Sequence, residues 1–311
     1  VCETAAALIR DPGHNIADTL IAPDFPGGGI LLYDKAELDK VYSTGRGSIR
    51  VRSRYNYDKT NHCIEITQIP PTATVEAIMD KIVDLIKLGK IREISDMRDE
   101  TDLGGLKLTI DCKRGTDPDK LMQKLYRLTP LEDSFSCNFN VLIAGSPRVL
   151  GIRELLEEWT AFRRECVRRG IYYDLQRKKD KLHLLQGLKK ILLDIDKAVR
   201  IVRETEEEAE VVPNLMIGFG IDEIQAEFVA EIKLRHLNRE YIIKRTEEIQ
   251  TLISEIAEME DILNSPRRVD TIIVNQLRQI AKEYGAPRKT EVLYEVEPVS
   301  YTHLTLPTIL R

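Results

Sequence analysis

The feature that most constrains the fold is a long amphipathic run over residues 152–202. Apolar residues recur there at steps of three and four, the spacing of one helix face, while Arg, Lys and Glu fill the other positions. Trp159 and Phe162 fall on this apolar face, so both are predicted to be core residues. A helix of about fifty residues would be on the order of 75 Å long, which favours an extended arm.

A second amphipathic run can supply a partner helix for the first. Within residues 242–263, isoleucine or leucine recurs every seven residues, with further apolar residues between them. Arg245 interrupts one of the intermediate positions. Two long amphipathic helices in succession predict an antiparallel coiled-coil arm, and two helices of an ordinary bundle are the alternative.

Composition limits the remaining possibilities. A chain of 311 residues can hold two domains, each with its own core. The net charge of −5 excludes a general attraction to nucleic acid, so such binding needs a local basic patch. The five cysteines are dispersed and odd in number, which indicates a reducing compartment. No apolar run approaches the roughly 20 residues of a membrane span and no signal peptide is visible, so a cytoplasmic protein is expected.

Residues 23–150 alternate between short strand and helix patterns, which predicts a compact α+β domain. The clearest strand pattern covers 48–57 and is followed, after a polar turn, by another over 63–69; together they predict a β-hairpin. Between the two long helical runs, the glycines at 218 and 220 predict a helix break at the arm's tip, and helical character is expected to resume over 221–243.

An arginine row marks the strand pattern at 48–57. Arg50, Arg52 and Arg54 lie at two-residue spacing, so all three guanidinium groups are expected on one face, and Arg46 precedes them on a glycine-flanked turn. No acidic residue lies between positions 46 and 57. The row predicts contacts to successive phosphates, and an edge strand protected by positive charge is the alternative.

No catalytic or metal-binding constellation is visible in the sequence. The five histidines are isolated from one another. Acidic residues of the loop at 96–102 could hold a divalent cation, but Arg98 lies among them, so a salt-bridged loop is the preferred interpretation. The glycines at 27–29 lack the lysine of a phosphate-binding loop. The sequence therefore predicts no catalytic residue and no metal ligand.

Six collinear stretches resemble the A subunit of bacterial DNA gyrase or topoisomerase IV, which are type IIA topoisomerases. They are PDFPGGG (23–29), YSTGRGSIRVRSR (42–54), EISDMRDETDLGG (93–105), QAEFVAEIKLRHLNREYI (225–242), LNSPRRV (263–269) and KEYGAPRKTE (282–291). The resemblance implies a tower-type α+β domain over 23–150, an outgoing coiled-coil helix over 151–203, a dimerisation tip over 204–240 and returning helices over 241–291. Residues 1–22 would be a helical remnant of the preceding domain, and 292–311 a non-native tail.

The same resemblance implies partners and site residues. Arg46, Arg50, Arg52 and Arg54 would line the path of double-stranded DNA, and a homodimer would form through the tip. The residues expected at that dimer interface are Gln225, Phe228, Val229, Ile232, Leu234 and Leu237. The complete enzyme would pass one duplex through another with the help of a B subunit, in which ATP and Mg²⁺ are expected; no cofactor is expected in this chain.

Parts of the family pattern are missing from the sequence. None of the eleven tyrosines has the Ala-Arg-Tyr-Thr context of the cleaving tyrosine. The chain is therefore expected to be a fragment without the winged-helix domain and the C-terminal propeller, unable to cleave DNA unaided. Gyrase and topoisomerase IV are not distinguished. A non-enzymatic, DNA-binding coiled-coil scaffold is the alternative.

Overall fold

The computed structural model describes residues 1–233 and 238–294. Contacts divide the described residues into two units, 1–159 with 280–294, and 160–233 with 238–279. The helices are α1 Cys2–Arg10, α2 Lys35–Thr44, α3 Val75–Lys87, α4 Pro118–Leu128, α5 Ile152–Leu192, α6 Ile195–Glu204, α7 Val211–Phe219, α8 Glu223–Ala230, α9 Arg239–Asn264 and α10 Pro266–Tyr284. Within the described ranges, no helix combines the length and apolar character that crossing a bilayer requires.

The first unit is built on two four-stranded sheets. The strands are β1 Ile30–Leu32, β2 Arg46–Arg52, β3 Arg54–Asp58, β4 Cys63–Gln68, β5 Ile94–Asp99, β6 Leu108–Cys112, β7 Glu132–Asn138, β8 Asn140–Ile143, β9 Ser146–Val149 and β10 Glu291–Leu293. One sheet has the order β10-β1-β2-β7 and the other β3-β4-β6-β5, while β8 and β9 form a separate hairpin. Only the β1–β10 pair is parallel among these described strand pairs. The predicted α+β class is confirmed.

Local sequence explains the helices of this unit. Asp34, Thr74 and Asp117 each accept hydrogen bonds from backbone amides at the start of α2, α3 and α4, as helix-capping side chains do. On α3, Ile78 and Ile82 lie four residues apart, and both are fully buried in the core beneath the second sheet. Capping and three-to-four spacing thus fix where these helices begin and which face packs inward.

The strand predicted over 48–57 consists of two strands in different sheets. β2 pairs with β7 in the first sheet, whereas β3 pairs with β4 in the second. Ser53 lies between them, fully buried, and its amide donates to the carbonyl of Leu131 at 2.7 Å. The prediction of one continuous strand is wrong because the pairing partner changes at Ser53; the hairpin of β3 and β4 is confirmed.

Residues 23–29 and 288–291 are hydrogen-bonded to each other and hold β10 beside β1. The Asp24 carboxylate accepts from the amides of Lys289 at 3.1 Å and Thr290 at 2.8 Å. The Phe25 amide donates to the buried Thr290 hydroxyl at 2.8 Å, and the Arg288 guanidinium donates to the carbonyl of Pro23 at 2.7 Å. Partial burial raises the pKa of Asp24, but these amides and the Arg288 charge outweigh it and hold the pKa below the usual 3.8.

Replacing Asp24 by asparagine should lower the free energy of unfolding at pH 7 by about 1 kcal/mol, since hydrogen bonds to a charged group are lost at a partly screened site. Because the folded-state pKa is lowered, the carboxylate stabilises the fold above its unfolded pKa near 4, and this is lost as pH falls through the folded pKa. Denaturant unfolding should therefore show a smaller difference in the free energy of unfolding between variant and parent at pH 3 than at pH 7. Asp39→Asn, at an exposed carboxylate on α2, is the control. A difference equal at both pH values contradicts the assignment.

The second unit is helical, and its long helices run antiparallel. Lys178 on α5 pairs with Glu255 on α9 at 2.6 Å, and Arg164, earlier on α5, pairs with Asp270 on α10 at 2.6 Å. Residues later on α5 therefore pair with residues earlier on the returning helices, which is the antiparallel arrangement. Between the helices lies a core cluster whose buried members are Leu185, Leu188, Ile249 and Leu252.

Two predictions about the first long helix are wrong. The run over 152–202 is interrupted after α5, and Asp194 caps α6 through a hydrogen bond from the Lys197 amide at 3.1 Å. Trp159 and Phe162 are 36% and 63% exposed, whereas Leu156 and Val167 are buried. Steps of three and four fit two neighbouring helix faces equally well, and the face beginning at Leu156 is the one that packs.

Candidate nucleic-acid interface

Strands β2 and β7 present one polar face. Their register places Arg46 opposite Asn138, Ser48 opposite Ser136, Arg50 opposite Ser134, and Arg52 opposite Glu132. The alternate residues Ile49 and Val51 are 3% and 0% exposed and belong to the core below. Side chains alternate between the two sides of a strand, so these polar side chains point away from the core. We call these eight residues the β2–β7 face.

Gly45 positions the first arginine of this face. It ends α2 with φ of 70°, a left-handed conformation that favours glycine, and its amide donates to the Val41 carbonyl. The Thr44 hydroxyl then accepts from the Arg46 amide at 3.2 Å. The Arg46 side chain is exposed, and among residues 1–233 and 238–294 it has no hydrogen-bonding or ion-pair partner. Its guanidinium group is therefore available to a ligand.

Arg50 and Arg52 share one carboxylate. Arg50 Nη1 lies 3.4 Å from Glu132 Oε1, and Arg52 Nε donates to Glu132 Oε2. The Arg50 side chain is 59% exposed, whereas those of Arg52 and Glu132 are 19% and 15% exposed. The Arg52 guanidinium also stacks 5.0 Å from the centre of the Tyr126 ring, whose hydroxyl donates to the Ser53 carbonyl at 2.9 Å. Arg52 is thus held in place, and Arg50 is accessible.

Arg54 departs from the predicted row. It begins β3, in the second sheet, and its guanidinium donates to the carboxylate of Glu291 on β10. The sequence shows no acidic residue near these arginines, but Glu132 and Glu291 reach them from β7 and β10. Of the four predicted arginines, Arg46 is unpaired among the described residues, Arg50 is exposed with one longer contact to Glu132, and Arg52 and Arg54 bond directly to carboxylates.

Sequence reasoning did not assign the residues of β7 to this face. Ser134, Ser136 and Asn138 on β7 are exposed, and they alternate along the strand with the partly buried Phe135 and the buried Cys137. Their hydroxyl and amide groups can donate to phosphate oxygens, as such side chains do in complexes with DNA. The polar–apolar alternation over 134–139 was the available signal.

The residues predicted for a dimer interface differ in exposure. Gln225 is 6% exposed and donates to the His183 carbonyl of α5 at 2.6 Å. It therefore connects α8 to α5 inside the unit and is not available on the surface. Phe228, Val229 and Ile232 are half-buried and pack against the core of the same unit. Leu234 and Leu237 lie outside the described residues. A role of these positions in dimerisation stays a prediction.

Residues 96–99 of the predicted acidic loop belong to strand β5, so their placement in a loop is wrong, but the expected salt bridges are present. Arg98 pairs with Glu100 at 3.2 Å and with Asp111. Hydrogen bonds from Thr109, Lys107 and Arg98 lower the pKa of Glu100 to about 2. In the part of the chain that the structure describes, no three His, Cys, Asp or Glu side chains are grouped as a metal site.

Comparisons with known proteins match this chain to one family. The family model for the A subunit of DNA gyrase/topoisomerase IV matches residues 1–278. The chain is 34% identical to the DNA gyrase A subunit of Borrelia hermsii, over 91% of this chain and 35% of that protein. It is 33% identical to the DNA gyrase A subunit of Borreliella burgdorferi, over 96% of this chain and 37% of that protein. The corresponding protein of Synechocystis sp. is 33% identical over 95% of this chain and 35% of its own length.

The chain therefore spans about a third of the length of these relatives. The match follows the order of the sequence and takes in both the β2–β7 face and the antiparallel helices α5 and α9. On this basis, the chain belongs to the family of DNA gyrase and topoisomerase IV A subunits.

Proposed function

We propose that this chain is the part of a type IIA topoisomerase breakage–reunion subunit that holds double-stranded DNA on the β2–β7 face. The observation that carries the proposal is the pair of accessible guanidinium groups, Arg46 and Arg50, beside the exposed hydroxyl and amide groups of β7. Family membership supports DNA as the ligand. Arg52 contributes by shaping the face, since its guanidinium group already binds Glu132, whereas Arg54 lies in the second sheet and binds Glu291.

The predicted contacts are to the DNA backbone. A flat sheet face carrying arginine, serine and asparagine can follow phosphate and sugar groups, but it offers no helix or ribbon to enter a groove and read base edges. Binding is therefore salt-dependent and nearly independent of sequence. Weak sequence preference suits an enzyme that acts on DNA topology.

The helical unit is proposed to form a coiled-coil arm with a dimer contact. The antiparallel ion pairs between α5 and the helices α9 and α10 support the arm. For the dimer contact, α6 carries Val199 and Val202, which are 47% and 46% exposed beside an apolar cavity of about 340 Å³. Burial of such side chains against a second copy would remove apolar surface from water.

Strand passage is proposed only for the complete assembly. The B subunit is expected to bind ATP and Mg²⁺, and no residue of this chain is assigned to either. None of the eleven tyrosines lies in the Ala-Arg-Tyr-Thr context, so we do not expect this chain to cleave DNA by itself. The alternative, a DNA-binding scaffold without chemistry, is disfavoured by the family match over residues 1–278.

Sedimentation of the full chain with a 30-bp duplex tests the proposal. The parent is expected to sediment as a dimer that carries DNA at low salt and releases it at high salt. Replacing Arg46 and Arg50 together by alanine should lower duplex affinity about ten-fold or more near 0.1 M salt and flatten the salt slope by up to about two units, one for each lost phosphate contact.

The matched control replaces Arg114 and Arg127, which are exposed and lie outside the β2–β7 face. It removes the same net charge and should change affinity less than about two-fold. Equal losses in the two double variants would show that DNA responds only to net charge, and the β2–β7 face would lose its assignment.

A further inference from the structure

Glu132 lies at one end of the β2–β7 face, opposite Arg52 and within reach of Arg50. Its carboxylate is the shared partner of Arg50 and Arg52, and its side chain is only 15% exposed. The two arginines are bound unequally. Arg52 has a direct hydrogen bond to Glu132 and the Tyr126 ring beside it, whereas Arg50 has a single contact of 3.4 Å and a side chain 59% exposed.

We propose, building on the DNA-binding function proposed above, that Glu132 is an internal counter-ion that competes with DNA phosphate for Arg50 and so limits duplex affinity. A carboxylate and a phosphate present the same kind of oxygen acceptors to a guanidinium group. When a phosphate reaches the face, Arg50 exchanges Glu132 for it. Arg52 stays with Glu132, so the half-buried carboxylate is not left without a partner.

This exchange has a measurable consequence for salt dependence. An arginine that is free before binding contributes its full share of counterion release when it meets a phosphate. An arginine that is already paired with a carboxylate contributes less, because the pair brings less net positive charge to the DNA and so displaces fewer of its cations. The parent should therefore show a shallower salt slope than the number of its phosphate contacts implies.

Glu132→Gln tests the inference, because the amide oxygen can still accept from Arg52 while the charge is removed. We expect duplex affinity to rise about five-fold near 0.1 M salt and the salt slope to steepen by up to about one unit. Glu37→Gln, at a carboxylate on α2 paired with Lys40, changes the net charge equally and should alter affinity less than about two-fold. In an Arg50→Ala background, Glu132→Gln should give no comparable gain.

Moving the negative charge from position 132 to position 134 distinguishes competition for Arg50 from an effect of Glu132→Gln on the fold. Ser134 is exposed and lies directly opposite Arg50. Adding Ser134→Glu to Glu132→Gln should return affinity towards that of the parent. If Glu132→Gln proves too unstable to measure, Ser134→Glu compared with Ser134→Gln in the parent should lower affinity and flatten the salt slope.

The outcomes distinguish this inference from the function on which it rests. If the parent binds no duplex at low salt, the proposed function fails. If the parent binds and Arg50→Ala weakens binding, but Glu132→Gln behaves like Glu37→Gln, the function stands and the counter-ion role is overturned. An equal gain from Glu132→Gln with and without Arg50 also overturns it.

Discussion

Replacing Gly45 by alanine should lower the free energy of unfolding by about 3 kcal/mol, a large effect for one added methyl group. Gly45 adopts φ of 70°, which alone costs an L-residue about 1 kcal/mol. In addition, a Cβ atom there would lie 2.2 Å from the carbonyl oxygen of Leu150, which is backbone and has little freedom to move. The end of α2 and the chain between β9 and α5 would have to separate.

Gly115 supplies a matched control for this prediction. Its φ of 82° is similar, but an added Cβ would meet nothing within 4 Å. Gly115→Ala should therefore show only the conformational cost of about 1 kcal/mol. Denaturant unfolding of both variants measures the difference, and equal losses would contradict the steric assignment. Because Gly45 directly precedes Arg46, Gly45→Ala should also weaken duplex binding, whereas Gly115→Ala should not.

Replacing Leu188 by alanine should destabilise the helical unit by about 3 kcal/mol, the sum of lost burial and the cavity left behind. Leu188 is fully buried and belongs to the cluster with Leu185, Ile249 and Leu252. It also lines the apolar cavity of about 340 Å³, so few neighbouring side chains can move in to fill the space that the leucine side chain leaves. Hydrogen exchange should become faster in α5, α8 and α9.

Leu193 is the control for the Leu188 variant. It lies in the break between α5 and α6 and is 79% exposed, so Leu193→Ala should change the free energy of unfolding by less than about 0.5 kcal/mol. If both variants show the same loss, burial of Leu188 is not what stabilises this unit. A loss in the Leu188 variant without faster exchange in α8 or α9 would restrict its role to α5.

Local patterns predicted the elements but not their partners. The capping residues Asp34, Thr74 and Asp117 and the spacing of apolar residues act within a few positions, so the helices α2, α3 and α4 could be read from the chain. The three-to-four spacing of the first long helix left two faces possible, and only packing showed that Phe162 lies outside. The change of pairing partner at Ser53 likewise depends on β7, which is distant in sequence.

The candidate site shows the same limit more sharply. Arg46 and Arg50 could be nominated because they share a local pattern with their neighbours. The carboxylates that bind Arg52 and Arg54 come from 80 and 237 residues farther along the chain. An absence of acidic residues within a short stretch therefore says little about which charges are free in the folded protein. The antiparallel register of β2 and β7 is what brings Glu132 to the arginines.

The parallel pair of β1 and β10 places a constraint on how this protein is made. Phe25, just before β1, bonds with Thr290, which is synthesised 265 residues later. At ordinary translation rates, that interval is on the order of 10–50 s. During this time the outer edge of β1 has no strand beside it, and unpaired edges favour association with other chains. Completion of the first sheet must wait for those 265 residues, so the ribosome-bound chain is a stage at which this fold is vulnerable to aggregation.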